Sequence, residues 1–411
     1  MVWRDNTPRR RRGQQSWSGP ALLGALLLTL PLALLGCDSG GSSNGGGSTN
    51  GGQTNTPPPV TTPPSPAPTP NVAFVLTADP RNGVGSYSTV SLATRNVSAD
   101  IQRGGVSSDA IARTFGGKVY VVNRLNADNI QVIDPAQGFT TPANAQVSVG
   151  NGTNPQDIAF INANKAYVSR LEKTARLLII NPTTLATLGE LDLSARLKSN
   201  DRDGSPEATH MLVLNGLLYV VLQHLDNFVP IAAGEVVVID PSTDRIVTVI
   251  TLPFNNPLSQ LHFSATLRRI LVSCVGEFGV DDGGIVAIDP STNTLDGSLR
   301  ISETALGGDI TEFAIISSTK GVAIVSDASF NNAVITFNPS NGQRLGTLIA
   351  SASTFIPYLA LNSRNEVYIA VRDLRTTTPG LRIFDAVTDR DVVPGTLGVG
   401  LLPPIWIAFV E

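Results

Sequence analysis

Three groups of residues have the types and spacing to do chemistry. The first is the run Ser199-Asn200-Asp201-Arg202-Asp203-Gly204-Ser205-Pro206-Glu207. Oxygen-bearing side chains alternate at Ser199, Asp201 and Asp203, Gly204 permits a sharp turn, and Glu207 adds a carboxylate three residues on. Calcium is a hard cation that takes several oxygen ligands from loops of this kind. Ser199, Asp201, Asp203 and Glu207 are therefore a candidate calcium set. Serine in the first ligand position removes one charge, and Arg202 brings an opposing one, expected to point outward. The same residues also make a polar surface turn, and spacing leaves both readings open. Asp281-Asp282-Gly283-Gly284 reads as a Gly-rich turn between strands.

The second group rests on the three histidines, His210, His224 and His262. His210 and His262 stand at the same place in successive units of the repeat described below. Asp157 and Glu312 hold corresponding places in the flanking units, as do Tyr358 and Trp406 further round. Imidazoles and carboxylates brought together bind zinc or another divalent metal, or shuttle protons. Asp157, His210, His262 and Glu312 are thus a candidate ligand-binding set. Without a metal, a carboxylate favours the cationic imidazole and hence an anionic or hydroxylated ligand; with a metal the imidazoles must be neutral. A wetted polar pore needs the same residues and no ligand.

The third group, the nucleophiles, yields no assignment. The sequence has no G-x-S-x-G elbow, P-loop or H-E-x-x-H, and no Ser or Thr has a His and an acid at persuasive spacing. Cys274 lies in the apolar run ILVSCV and reads as a small buried hydrophobe. No catalytic residue is expected. Phe228, Phe254 and Phe278 fall in the longer loops between 218 and 284, where a repeat array of this kind places a binding face.

The elements that must position these residues repeat. VYVVNRLNADNIQVIDP (119–135), AYVSRLEKTARLLIINP (166–182) and LYVVLQHLDNFVPIAAGEVVVIDP (218–241) follow one plan, as do the segments at 270–290, 322–339 and 367–386. Each has a β-branched strand, a polar loop and a second strand ending in Asp-Pro or Asn-Pro, with Asp385-Ala386 in the last. Asp or Asn caps such a turn and Pro presets its φ. Starts fall 45 to 52 residues apart, a period that, built of strands alone, means propeller blades. A further short strand precedes each unit: Ala110–Phe115, Asp157–Ile161, His210–Leu214, His262–Ala265, Glu312–Ile316 and Tyr358–Leu361, with Ile405–Val410 standing alone at the end. These are seven inner strands, and the last is expected to complete the N-terminal blade and close the ring. The fold class is therefore all-β, a seven-bladed propeller over residues 73–411.

The repeat resembles the YVTN family of bacterial β-propellers, in which a strand like VYVVN leads through a loop to VIDP. The resemblance is strongest at 119–135 and weakest at 73–101, where VSLAT replaces VIDP. It implies a fold and a surface location, and no particular activity. No Gly-His…Trp-Asp pair occurs, and Trp406 is the only tryptophan outside the leader, so WD40 repeats and the tryptophan girdle of quinoprotein dehydrogenases are both missing.

Residues 1–36 read as an export leader: Arg4 and Arg9 to Arg12 form a basic region, Ala21 to Leu35 an apolar one too short for a membrane span. It ends in Leu34-Leu35-Gly36-Cys37, which resembles a bacterial lipobox and implies lipidation of Cys37. Residues 37–72, Gly/Ser/Asn-rich and then Pro/Thr-rich, read as a disordered linker, coil followed by a stiffer polyproline spacer. Of 411 residues, 42% are hydrophobic and only 15% charged, which excludes a wholly disordered chain. The net charge of -4, falling to about -8 without the leader, argues against nucleic acid as a partner. The chain reads as a monomer held to the bacterial envelope by its lipid anchor, binding an unidentified protein, glycan or small molecule without catalysis. The alternative is a metal-dependent, lactonase-like hydrolase with its site at the propeller axis.

Overall fold

A computed structural model describes residues 71–79, 83–350, 355–372 and 379–411. Residues 1–70, which hold the expected leader, Cys37 and all but the last two residues of the expected linker 37–72, lie outside them.

Seven antiparallel sheets are the blades of a propeller, and Leu225–Asp226 pairs with Val229–Pro230 in a separate two-stranded ribbon. Blade 1 is shared between the two ends of the chain. Its inner strand is Pro404–Val410, which pairs with Val72–Asp79; outward lie Val84–Ser91 and the short Val97–Ser98. The register runs from Val72 opposite Val410 to Thr77 opposite Pro404, with one irregularity after Leu76. The expected closure of the ring by the last strand is therefore the observed one. Blades 2 to 6 are four-stranded and run outward in chain order from Ala110–Phe115, Pro155–Asn162, Ala208–Leu214, His262–Ser264 and Asp309–Ile315. Blade 7 has three strands from Tyr358–Leu361, and isolated bridges at Leu381–Leu397 and Phe384–Asp391 continue its outer edge.

The sequence plan explains the geometry. In every repeat the Asp or Asn that ends the third strand accepts a hydrogen bond from the amide two residues on: Ala136, Thr183, Ser242, Ser291, Ser340 and Val387 donate to Asp134, Asn181, Asp240, Asp289, Asn338 and Asp385 at 2.8–3.0 Å. The turn then needs a left-handed residue, supplied by Leu185, Asp244, Asn293, Gly342 and Asp389 in blades 3 to 7. In blade 1 the divergent VSLAT makes a related turn. The Ser91 hydroxyl accepts from the Thr94 amide and Arg95 is left-handed.

The second and third strands of each blade are buried on both faces, so Val119, Val121, Val122, Ile130 and Ile133 are wholly inaccessible. Runs of Val and Ile suit such strands because both faces meet apolar neighbours. The tyrosine of the VY or AY pair fastens one blade to the next. Tyr120 donates to the Pro182 carbonyl at 3.2 Å, Tyr219 to Asn293 at 2.6 Å, and Tyr167 to Asp244. Tyr87 reaches the Phe139 carbonyl of blade 2, and Arg95 of blade 1 donates to Tyr368 of blade 7. Blades 5 and 6 have Leu271 and Ala323 at this position and lack the tyrosine staple.

Candidate functional site

Each of the seven inner strands sends one polar or aromatic side chain into a connected axial cluster. In chain order these are Arg113, Asp157, His210, His262, Glu312, Tyr358 and Trp406, one from each blade. Gln260, just before the strand of His262, joins them.

Arg113 is the hub. It grips Asp157 in a two-pronged pair, Nε to Oδ1 at 2.7 Å and Nη2 to Oδ2 at 2.9 Å, while Nη1 donates to Gln260. Its guanidinium also lies 5.5 Å from the centre of the Trp406 ring, within range of a cation–π contact. Asp157 is wholly buried and accepts two backbone amides, Ile158 at 2.8 Å and Met211 at 3.0 Å. His210 Nδ1 stands 3.7 Å from Asp157 Oδ2, beyond hydrogen-bonding distance. On the other side His262 Nε2 meets Glu312 Oε1 at 2.7 Å, and the Phe313 amide donates to the same oxygen. The Gln260 amide group donates to Tyr358 at 2.6 Å and to Glu312 Oε2 at 3.3 Å. Tyr358 stacks on Trp406 at 3.8 Å with the rings 11° apart, and the Trp406 indole N–H donates to the Ala112 carbonyl at 3.0 Å.

Burial by itself would raise the Asp157 carboxyl, but the guanidinium of Arg113 outweighs it and holds the group well below the usual carboxylate range. Glu312 is likewise raised by burial and lowered overall by His262 and its hydrogen bonds. Burial and the Glu312 charge push the Tyr358 hydroxyl up, so it remains a neutral donor and acceptor. The cluster is thus two carboxylates, one guanidinium and one imidazole hydrogen-bonded within it, with the His210 imidazole close to Asp157.

The structure brings together all four residues of the proposed axial set, as two pairs: Asp157 with His210, and Glu312 with His262. Sequence reasoning missed Arg113 and Gln260. Arg113 is the lone charged residue of the inner strand AIARTF, the signal that would have found it. Gln260 carries no such signal, since it precedes its strand.

The loop 199–207 is placed differently. Asp201 Oδ1 accepts from the Asp203 and Gly204 amides at 3.1 and 2.8 Å, and Asp203 Oδ1 from the Ser205 amide at 3.0 Å. These carboxylates cap their own turn. Ser199 is exposed. Glu207 has a left-handed backbone and is buried, accepting the Leu225 amide at 2.6 Å. Burial, and then the charges of Asp203 and Asp201, push the Glu207 carboxyl up to about 9. Arg202 is exposed, as expected, and still makes a contact. It pairs with the buried Asp226 of the facing loop through Nε at 2.7 Å. Beside it, burial raises Glu235, but His224 and Lys198 outweigh this and hold it at about 2; His224 Nε2 lies 3.1 Å and Lys198 Nζ 2.6 Å from its oxygens. Cys274 is fully buried, as its apolar run implies, and its thiol is pushed up by that burial. Among the described residues no three His, Cys, Asp or Glu side chains are grouped so as to hold a metal ion.

No family model matches the sequence, and no curated protein matches it. Solved structures do. A quinonprotein alcohol dehydrogenase-like protein from Bacteroides thetaiotaomicron is similar over 84% of this chain and 79% of its own, at 13% identity and a TM-score of 0.57. BamB from Moraxella catarrhalis is similar over 73% of this chain and 79% of its own, at 18% identity and a TM-score of 0.44. The computationally designed Ika8 protein covers 82% of this chain and 90% of its own, at 14% identity and a TM-score of 0.48. At such identities the likeness is one of fold, and function must be argued from the site.

Proposed function

We propose that this chain is a membrane-tethered binding and scaffold propeller of the YVTN type at the bacterial cell envelope, and that it works without catalysis. The observation that carries this reading is the direction of the axial carboxylates. A lactonase-like hydrolase needs several oxygen ligands converging on one ion. Here Asp157 is turned onto a guanidinium and two amides, and Glu312 onto an imidazole, a glutamine and an amide. Such a cluster rigidifies the centre of the ring and leaves the loops as the variable, ligand-facing part. The tether rests on the Leu-Leu-Gly-Cys37 motif and the linker behind it.

One experiment addresses both halves. Wild type and Cys37→Ser are fractionated from cells, and each fraction is offered a panel of lactones with and without added zinc or calcium. Wild type should sediment with membranes, Cys37→Ser should become soluble, and neither should turn over a lactone. Wild type in the soluble fraction would refute the tether. Metal-dependent turnover abolished by Glu312→Gln would refute the scaffold.

A further inference from the structure

The loops joining the second and third strands of blades 5 and 6 make an apolar, acidic cleft. Loop 275–283 of blade 5 raises Phe278 and Val280 to solvent, each 45% exposed, and loop 327–331 of blade 6 raises Phe330, 55% exposed. The two loops touch: Gly279 is left-handed, and a Cβ there would sit 3.5 Å from Ala328. The Gly279 amide also donates to Asp309 at 2.8 Å. Between them lies a cavity of about 430 Å³ whose only charged lining groups, among the described residues, are Asp281, Asp309 and Asp327.

Exposed aromatics rarely cluster on a surface without a partner, and the charge here says which partner. Loops 275–283, 303–309 and 327–331 contain Glu277, Asp281, Asp282, Glu303, Asp309 and Asp327 and no Lys or Arg. Arg344, which lines an adjoining cavity together with Gly307 and Asp327, donates to the Leu306 carbonyl and Thr347. Asp309 is buried, and burial with the nearby charges of Asp281 and Asp282 pushes it up to about 6. A cation in the cavity would relieve that repulsion, and Phe278 and Phe330, exposed on the two loops that form it, are side chains on which a guanidinium can stack.

We propose that this cleft docks a basic segment of a protein partner, an Arg or Lys side chain entering the cavity and apolar neighbours covering Phe278 and Phe330. The assignment rests on the binding-module reading above and gives it a face and a partner chemistry. Aromatic anchors around one desolvated charge are the usual core of such an interface, and opposite charge sets its specificity.

The test is fluorescence anisotropy of a labelled peptide of alternating Arg and Leu, titrated with the full chain in detergent. A Glu/Leu peptide and calcium chloride serve as competing probes. Binding in the micromolar range is expected, weakened at least tenfold by Asp281→Asn with Asp327→Asn, and separately by Phe278→Ala with Phe330→Ala. All four side chains are solvent-facing or line the cavity, and circular dichroism melts should match wild type. No binding of the basic peptide up to 1 mM, equal binding of the acidic one, or affinity untouched by both double variants would overturn the proposal. Displacement of the peptide by calcium at comparable concentration would overturn it in favour of a cation site. A flat titration from a protein that still sediments with membranes and turns over no lactone sinks this cleft alone, whereas lactone turnover sinks the scaffold reading whatever the peptide does.

Discussion

Replacing Arg113 by Met asks whether charge pairing holds the axis together. In the wild type Asp157 is wholly buried, and its oxygens take Arg113 Nε at 2.7 Å and Nη2 at 2.9 Å. The variant leaves the carboxylate with the Ile158 and Met211 amides and with His210 Nδ1 at 3.7 Å. Removing one partner of a buried pair costs about 3–5 kcal/mol, a large part of the roughly 5–15 kcal/mol that holds a domain folded. The pH dependence should change sign. In the wild type the folded Asp157 titrates below its unfolded value of about 3.9. Its contribution is full above that value and is lost as pH falls. Without Arg113, burial is opposed only by His210 and the two amides, and the carboxyl rises. The deficit of the variant is then largest at neutral pH and shrinks as pH falls towards about 4. Urea unfolding followed by circular dichroism at pH 7 and pH 4.5 measures both effects. Arg113→Met with Asp157→Asn, which removes both charges and keeps one acceptor oxygen for the backbone, should recover all but about 2 kcal/mol, about 1 each for the Gln260 carbonyl, which loses its donor, and for whichever of the Ile158 and Met211 amides loses its acceptor. A single variant that loses under 1 kcal/mol at pH 7 and keeps the wild-type pH slope would refute the argument.

Two further outcomes follow from the geometry. Deleting 404–411 removes the inner strand of blade 1 and the burial of Trp406, Ile407 and Val410; at roughly 1.5–3 kcal/mol for each large side chain the loss approaches the whole stability, so the truncated chain should aggregate, and an unchanged melting temperature would disprove closure. Calcium at ten times its dissociation constant should add about 1.4 kcal/mol of stability to the wild type through the loop at 199–207, read as a thermal shift, and equal shifts in Asp201→Ala with Asp203→Ala would remove calcium from that loop.

The blades were legible because their signals are local. The Asp134-Pro135 turn and its counterparts need only neighbouring residues: a carboxylate or amide oxygen, a proline and a left-handed position three residues beyond the proline. The four axial residues were legible for a related reason. His210 and His262 share a register, and the register of an inner strand sets the direction of its side chains. What escaped is pairing across the ring. Arg113 meets Gln260 across 147 residues of sequence, and no local pattern marks that meeting. Loop 199–207 is legible by its spacing alone. Its spacing is that of a cation loop, yet spacing says nothing of where an oxygen points, and Asp201 and Asp203 point at their own amides.

The places where the repeat departs from its own pattern coincide with the acidic cleft. Four tyrosines and the Arg95–Tyr368 contact staple five of the blade junctions, but Leu271 and Ala323 take the tyrosine position in blades 5 and 6. Between those two blades the contact is made instead by Ser273, which donates to the Ile310 carbonyl, and by the Gly279 amide, which donates to Asp309. A hydroxyl and a loop amide replace the phenol, and one of the two bonds ends on a carboxylate of the cavity itself. Binding a cation at Asp309 would therefore act on the junction as well as on the loops, because the carboxylate that meets the ligand also holds blade 6 to blade 5. A repeat unit that gives up its staple for a carboxylate-centred contact gains a surface sensitive to charge at one junction, while the five junctions that keep a tyrosine contact hold their part of the ring fixed.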